Sequence, residues 1–132
     1  MPDYNVFPDY KTRKEIINDL CDRYKFIKHC FAGKSVCGRG IDVLHIGNTK
    51  NRVLYCGGFH GSEYLTILAL LKFFEECCEA MESDKTVGGC KIGNFLSIRG
   101  LTIVPCVNPD GTENKALYVS GAMFPNSTFD IQ

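Results

Sequence analysis

The chain has 132 residues and a formal net charge of zero, with 45% hydrophobic and 23% charged residues. That is the length of one domain, able to bury about two thirds of its unfolded surface. No segment approaches the ~20 apolar residues of a membrane span, and no basic excess marks a phosphate-binding face, so neither a membrane nor a nucleic acid is expected as a partner. The opening MPDYNVFPDYKTRKE has no apolar core behind basic residues and does not read as a signal peptide, which makes a cytoplasmic location the expectation. The eight cysteines, Cys21, Cys30, Cys37, Cys56, Cys77, Cys78, Cys90 and Cys106, include no CxxC pair. In a chain of this size they read as reduced, mostly structural thiols, with Cys56 and Cys106 inside apolar strand-like runs.

DYKTRKEIINDLCDRYKF predicts the first helix. Thr12 and Glu15 have capping-box spacing, and Ile16, Ile17, Leu20, Cys21 and Tyr24 form one apolar stripe. FIKHCF and IDVLHIG read as an antiparallel hairpin across the turn-rich AGKSVCGRG, with NTKN as the next turn. RVLYCGG is nearly continuous in apolar residues, the pattern of a strand buried on both faces. A helix from about Glu63 to Ala80 follows, with Leu65, Leu68, Leu71 and Phe74 or Glu75 tracing its faces.

ESDKTVGGCK reads as a loop, IGNFLSIRG as a short helix closed by Gly100, and LTIVPCV as a second buried strand ending at NPDG. The strand–helix–strand order implies a parallel pair, and the earlier hairpin makes the sheet mixed, with helices on both faces. NKALYVSGAMFPNSTFDIQ has no clear period and reads as loop.

Two features carry chemistry. In GGFHGSEYLT, His60 and Glu63 stand three apart where a strand becomes a helix. Ligands gather at such carboxyl ends of strands, and small residues around the pair, Gly61 among them, leave room above both side chains. A first-turn glutamate also suits the helix dipole, and Ser62 suits an N-cap. On this motif alone, a metal pair and a merely structural pair both stand. VPCVNPDG, with Asn108, Pro109, Asp110 and Gly111, is the second feature. Taken alone it is a turn.

Together, GGFHGSE, a helix and IVPCVNPDG resemble the zinc carboxypeptidase family, whose hallmark is an HxxE zinc half-site followed by a strand ending in NPDG. The segment Gly33–Ile41 is similar to that family's early G-x-S-x-x-G-R-x-I. The resemblance runs from about residue 10 to residue 117. It implies the N-terminal half of a phosphorylase/hydrolase-like domain, an incomplete α/β fold, over residues 1–132.

It also implies zinc held by His60, Glu63 and a later histidine, an open fourth position with water, a later glutamate as general base and arginines that grip the substrate carboxylate. The implied reaction is hydrolysis of a C-terminal or cell-wall peptide bond in a peptide substrate. The residues that would complete the site come after NPDG in the family and are absent from this chain, which is expected to be inactive alone. His29 and His45 do not match the third-ligand position, and Ser62 stands where many members carry an arginine. The alternatives are an amide hydrolase like succinylglutamate desuccinylases and aspartoacylases, or a truncated, non-catalytic binding module. Half a sheet leaves an uncovered edge, so self-association is expected.

Overall fold

The computed structural model describes residues 2–119, with side chains through 114. Helix α1, Tyr10–Arg23, starts earlier than the Thr12–Glu15 spacing predicted: Asp9 is the N-cap, and its carboxylate accepts from the Thr12 N–H at 2.8 Å. Thr12 is therefore inside the first turn, and Glu15 only approaches exposed Lys11, at 3.9 Å. The predicted stripe does face inward, with Ile16, Ile17, Leu20 and Tyr24 buried.

Strands β1, Lys28–Lys34, and β2, Gly40–Ile46, form the expected antiparallel hairpin. The Asn48 side chain then closes the NTKN turn by accepting from the N–H groups of Lys50 and Asn51. Strand β3, Arg52–Cys56, leads into helix α2, Tyr64–Ser83, which runs past Ala80 to Asp84, a left-handed C-cap.

The predicted loop 82–91 is instead the end of α2 and a small hairpin, β4 at Thr86–Val87 and β5 at Cys90–Lys91. Gly88 and Gly89 both take positive φ in its turn, as the tight hairpin geometry requires. Helix α3, Ile92–Ile98, ends at Arg99 in extended conformation, so Gly100 does not close it. Gly100 opens strand β6, Gly100–Val104, where a Cβ would stand 2.0 Å from the Asn48 carbonyl oxygen.

The sheet order is β1-β2-β6-β3, with β3 parallel to β6 and the other pairs antiparallel. The α/β class and the mixed sheet are as the sequence implies. Registers Leu44↔Ile103, Ile46↔Leu101 and Val53↔Leu101 put these side chains on one face. That face carries the core, with Ile17 and Leu20 of α1, Ile67, Leu71 and Phe74 of α2, and Leu96 of α3. Each fully buried side chain of this size contributes about 1.5–3 kcal/mol relative to exposure. Glu75, 4% exposed on α2, receives the Arg23 guanidinium at 2.6 Å and the Tyr4 hydroxyl, joining the N-terminal segment and α1 to α2. Leu65, expected on a helix face, is 66% exposed.

The reading of RVLYC as a strand buried on both faces is corrected. Among the described residues, β3 is an edge strand whose one neighbour is β6, and Leu54, Tyr55 and Cys56 are exposed. LTIV, two strands from one edge and flanked on both sides, is buried as predicted except at half-buried Val104.

The chain after NPDG is also not loop at first: helix α4 spans Pro109–Val119. Asn108 accepts from the Gly111 N–H at 2.9 Å, and Pro109 takes the first helical position, where its missing N–H costs nothing. The remainder of the predicted loop, 120–132, lies outside the described residues. Among the described residues, no helix is long and apolar enough to cross a membrane.

Candidate metal centre

The exits of the parallel strands β3 and β6 run side by side. The Gly57 N–H donates to the Val104 carbonyl at 3.0 Å, the Val107 N–H to Gly57 at 2.9 Å and the Asn108 N–H to Gly58 at 3.0 Å. Gly58 has φ +62, and a Cβ there would meet the Ile67 side chain at 2.9 Å, so glycine is required. The chain then turns through His60, Gly61 and Ser62 into α2.

His60 and Glu63 converge. His60 Nδ1 lies 2.8 Å from Glu63 Oε1, and the His60 backbone N–H donates to Oε2 at 3.1 Å. The imidazole first, and the His60 backbone N–H second, hold the Glu63 carboxyl below the usual carboxylate range. Both side chains remain open to solvent, at 56% and 40% exposure. Glu63, not Ser62, occupies the N-cap position, and its side chain makes no cap bond; Ser62 is exposed. Thr66, which the sequence reading passed over, ties this loop down: its hydroxyl donates to the Glu63 carbonyl at 2.7 Å and accepts from the Gly58 N–H at 3.0 Å.

The NPDG segment lies against this loop. Asn108 Nδ2 donates to the Phe59 carbonyl at 3.1 Å, and Pro109 starts α4. Gly111 presses its backbone on Gly61, where a Cβ would stand 2.2 Å from the Gly111 carbonyl oxygen. Asp110 reaches the other way. It accepts from Ser35 Oγ at 2.8 Å, the Cys37 N–H at 3.0 Å and Arg39 Nη1 at 2.8 Å. Burial pushes its carboxyl up, but Arg39, Cys37 and Ser35 outweigh it and hold the group below its ordinary value. Gly33–Ile41, singled out in the sequence without a physical role, thus acquires one through Ser35 and Arg39.

An imidazole nitrogen and a carboxylate oxygen are both zinc donors, and here they face each other at a solvent-open strand end. The pair fits a metal as two of its donors. Among the described residues, no group of three or more His, Cys, Asp or Glu side chains is placed to hold an ion. His45 is 5% exposed with Nδ1 on Thr102 Oγ1 at 2.7 Å and Nε2 on the Gly47 carbonyl at 3.1 Å. His29 sits on β1, at the sheet edge opposite β3, 2.7 Å from Asp42, which also takes Lys14 at 2.6 Å.

The sequence model of the zinc carboxypeptidase family matches residues 14–117. The chain belongs to the zinc carboxypeptidase family. It is 31% identical over 103 residues to gamma-D-glutamyl-L-diamino acid endopeptidase 1 of Lysinibacillus sphaericus, covering 78% of this chain and 26% of that protein. It is 26% identical over 109 residues to a zinc carboxypeptidase of Saccharothrix mutabilis, covering 78% and 24%. Its fold matches bovine thrombin-activatable fibrinolysis inhibitor, solved with a tick carboxypeptidase inhibitor, at a TM-score of 0.70 and 19% identity, over 96% of this chain and 39% of that one. The chain spans about a quarter of the length of the curated relatives it matches, between 21% and 29%. The family whose model it matches is one of peptidases.

Proposed function

We propose that His60 and Glu63 are two of the three protein donors of a catalytic zinc site that hydrolyses C-terminal or cell-wall peptide bonds. The observation that carries this is the convergence of His60 Nδ1 and Glu63 Oε1 at the solvent-open end of β3, against the NPDG loop. Zinc bound in such a site supplies Lewis acidity toward a carbonyl and its attacking water. Glu63, with its carboxyl held low by His60, would offer an ionised oxygen donor, and a metal held by the pair would take the place of the hydrogen bond between them. His29 and His45 are engaged elsewhere, and the pair is proposed as part of the site.

Zinc titration by calorimetry tests the half-site. Binding by the wild-type chain, lost in both His60→Ala and Glu63→Gln, is expected; equal uptake by all three chains overturns the assignment. Hydrolysis is tested on the protein carried to the length of its relatives, by release of a C-terminal residue or cleavage of a cell-wall peptide. Activity that survives His60→Ala rules this reading out.

We also propose that the chain alone self-associates through β3. The support is that, among the described residues, no strand pairs with its outer edge, together with exposed Leu54 and Tyr55 on it.

A further inference from the structure

Within the NPDG turn, the Asn108 side chain accepts from the Gly111 N–H at 2.9 Å. Asp110 contributes nothing to this closure. Among the described residues, its carboxylate bonds all run to the β1–β2 turn: Ser35 Oγ, the Cys37 N–H and Arg39 Nη1. The turn is itself closed by the Ser35 N–H on the Arg39 carbonyl at 2.8 Å and the Arg39 N–H on Ser35 Oγ at 3.0 Å. A second tie braces the same end of the molecule, from the Tyr10 N–H to Glu113 Oε2 at 2.9 Å. On its opposite side, the loop touches the metal half-site through the Asn108–Phe59 bond and the Gly111–Gly61 backbone contact.

We infer that Asp110 is a positioning residue of the half-site. By anchoring the NPDG loop to the Ser35–Arg39 turn, it fixes the backbone wall on which Gly61 lies and so sets the approach of His60 to Glu63. Asp110 touches neither donor. It acts through Gly111 and Gly61, and the hairpin turn becomes part of the support of the metal site. The residues that support metal ligands from behind typically carry 10–100-fold in metal affinity. This inference rests on the zinc reading for its function, but the geometry it describes exists without metal.

The test is nitrogen-15 NMR of the imidazoles in the metal-free full chain, which has three histidines to assign, combined with zinc titration. In Asp110→Ala, the His60 nitrogen shifts are expected to move toward those of Glu63→Gln, while His29 and His45 stay in place. Zinc affinity is expected to fall about 10-fold or more. Arg23→Ala serves as a control for general destabilisation, since Glu75 lies about three helical turns from Glu63, and it is expected to leave the His60 shifts unchanged. His60 shifts at wild-type positions in folded Asp110→Ala overturn the inference, as does an equal loss of zinc affinity in Arg23→Ala. If Asp110→Ala does not fold, Arg39→Lys, which keeps the charge but not the guanidinium fork, is read by the same two outcomes. If the wild-type chain takes up no zinc, the proposed function falls, while the His60 shifts still decide the positioning role.

Discussion

Gly61 and Gly111 meet backbone to backbone, so that a Cβ on Gly61 would lie 2.2 Å from the Gly111 carbonyl oxygen and 2.6 Å from its carbon. This contact joins the two motifs that the sequence separates by two helices, a small hairpin and a strand. Because the obstacle is backbone, it cannot rotate away.

Gly61→Ala is therefore expected to cost about 1–3 kcal/mol, the scale of overpacking a tight contact, and to weaken zinc binding with it. Gly93→Ala is the contrast. Gly93 lies in α3, and the nearest atom to an added Cβ is Asp84 Oδ1 at 4.0 Å. That change is expected to stabilise by about 0.4–1 kcal/mol through the unfolded chain. Thermal unfolding of the two variants beside wild type checks both signs.

Asp110 makes a pH prediction. Its folded pKa lies below its ordinary value of 3.8 because Arg39, Cys37 and Ser35 outweigh burial. A depressed carboxylate gives stability that is fully present above the unfolded pKa and is lost as pH falls through the folded one. The Tm difference between wild type and Asp110→Ala should be constant through the neutral range and shrink below about pH 4. A difference that widens on acidification would contradict this assignment.

The thiols sort by burial. Burial pushes Cys77 up to about 11 and Cys78 further in the same direction, and Cys106 is 3% exposed. Cys30, Cys37, Cys56 and Cys90 are exposed. Brief alkylation of the native chain at neutral pH, followed by mass mapping, should mark the exposed four and spare Cys77, Cys78 and Cys106 until the protein is unfolded.

The open edge predicts concentration-dependent association. Leu54 is 59% exposed on β3, on the face opposite the core. A lysine on an edge strand blocks pairing by charge. Light scattering across a concentration series should show wild type growing in mass and Leu54→Lys remaining smaller. Identical curves that stay at monomer mass would remove the self-association proposal.

Much of this was legible in the sequence. The α1 stripe, the hairpin and the parallel crossover follow from periodicity and spacing, because one local pattern decides each, whereas the His60–Glu63 spacing alone left a metal pair and a structural pair both standing until NPDG and the family resemblance were set beside it. What escaped depends on neighbours. RVLYC has the composition of an interior strand, yet composition does not say which strands flank it, and among the described residues only β6 does. NPDG carries turn residues, but Asn before Pro is equally a helix start, and the aperiodic stretch after it hid α4. Gly100 looked like a helix stop. Its absent side chain instead admits the Asn48 carbonyl, a contact between segments that no local window contains. The Asp110–Arg39 pair joins positions too distant in the chain for spacing to reveal.

The parallel pairing of β3 with β6 also has a kinetic side. Every bond between these strands joins residues on opposite sides of α2 and α3, so loop closure must be met before any of that pairing is gained. The β1–β2 hairpin is local and can form early. Gly61 meets Gly111 only after the crossover has closed, so the backing of the His60–Glu63 loop by NPDG is expected to form after the β1–β2 hairpin. A chain caught midway would already have its hairpin, while the His60–Glu63 loop still lacked the NPDG segment behind it.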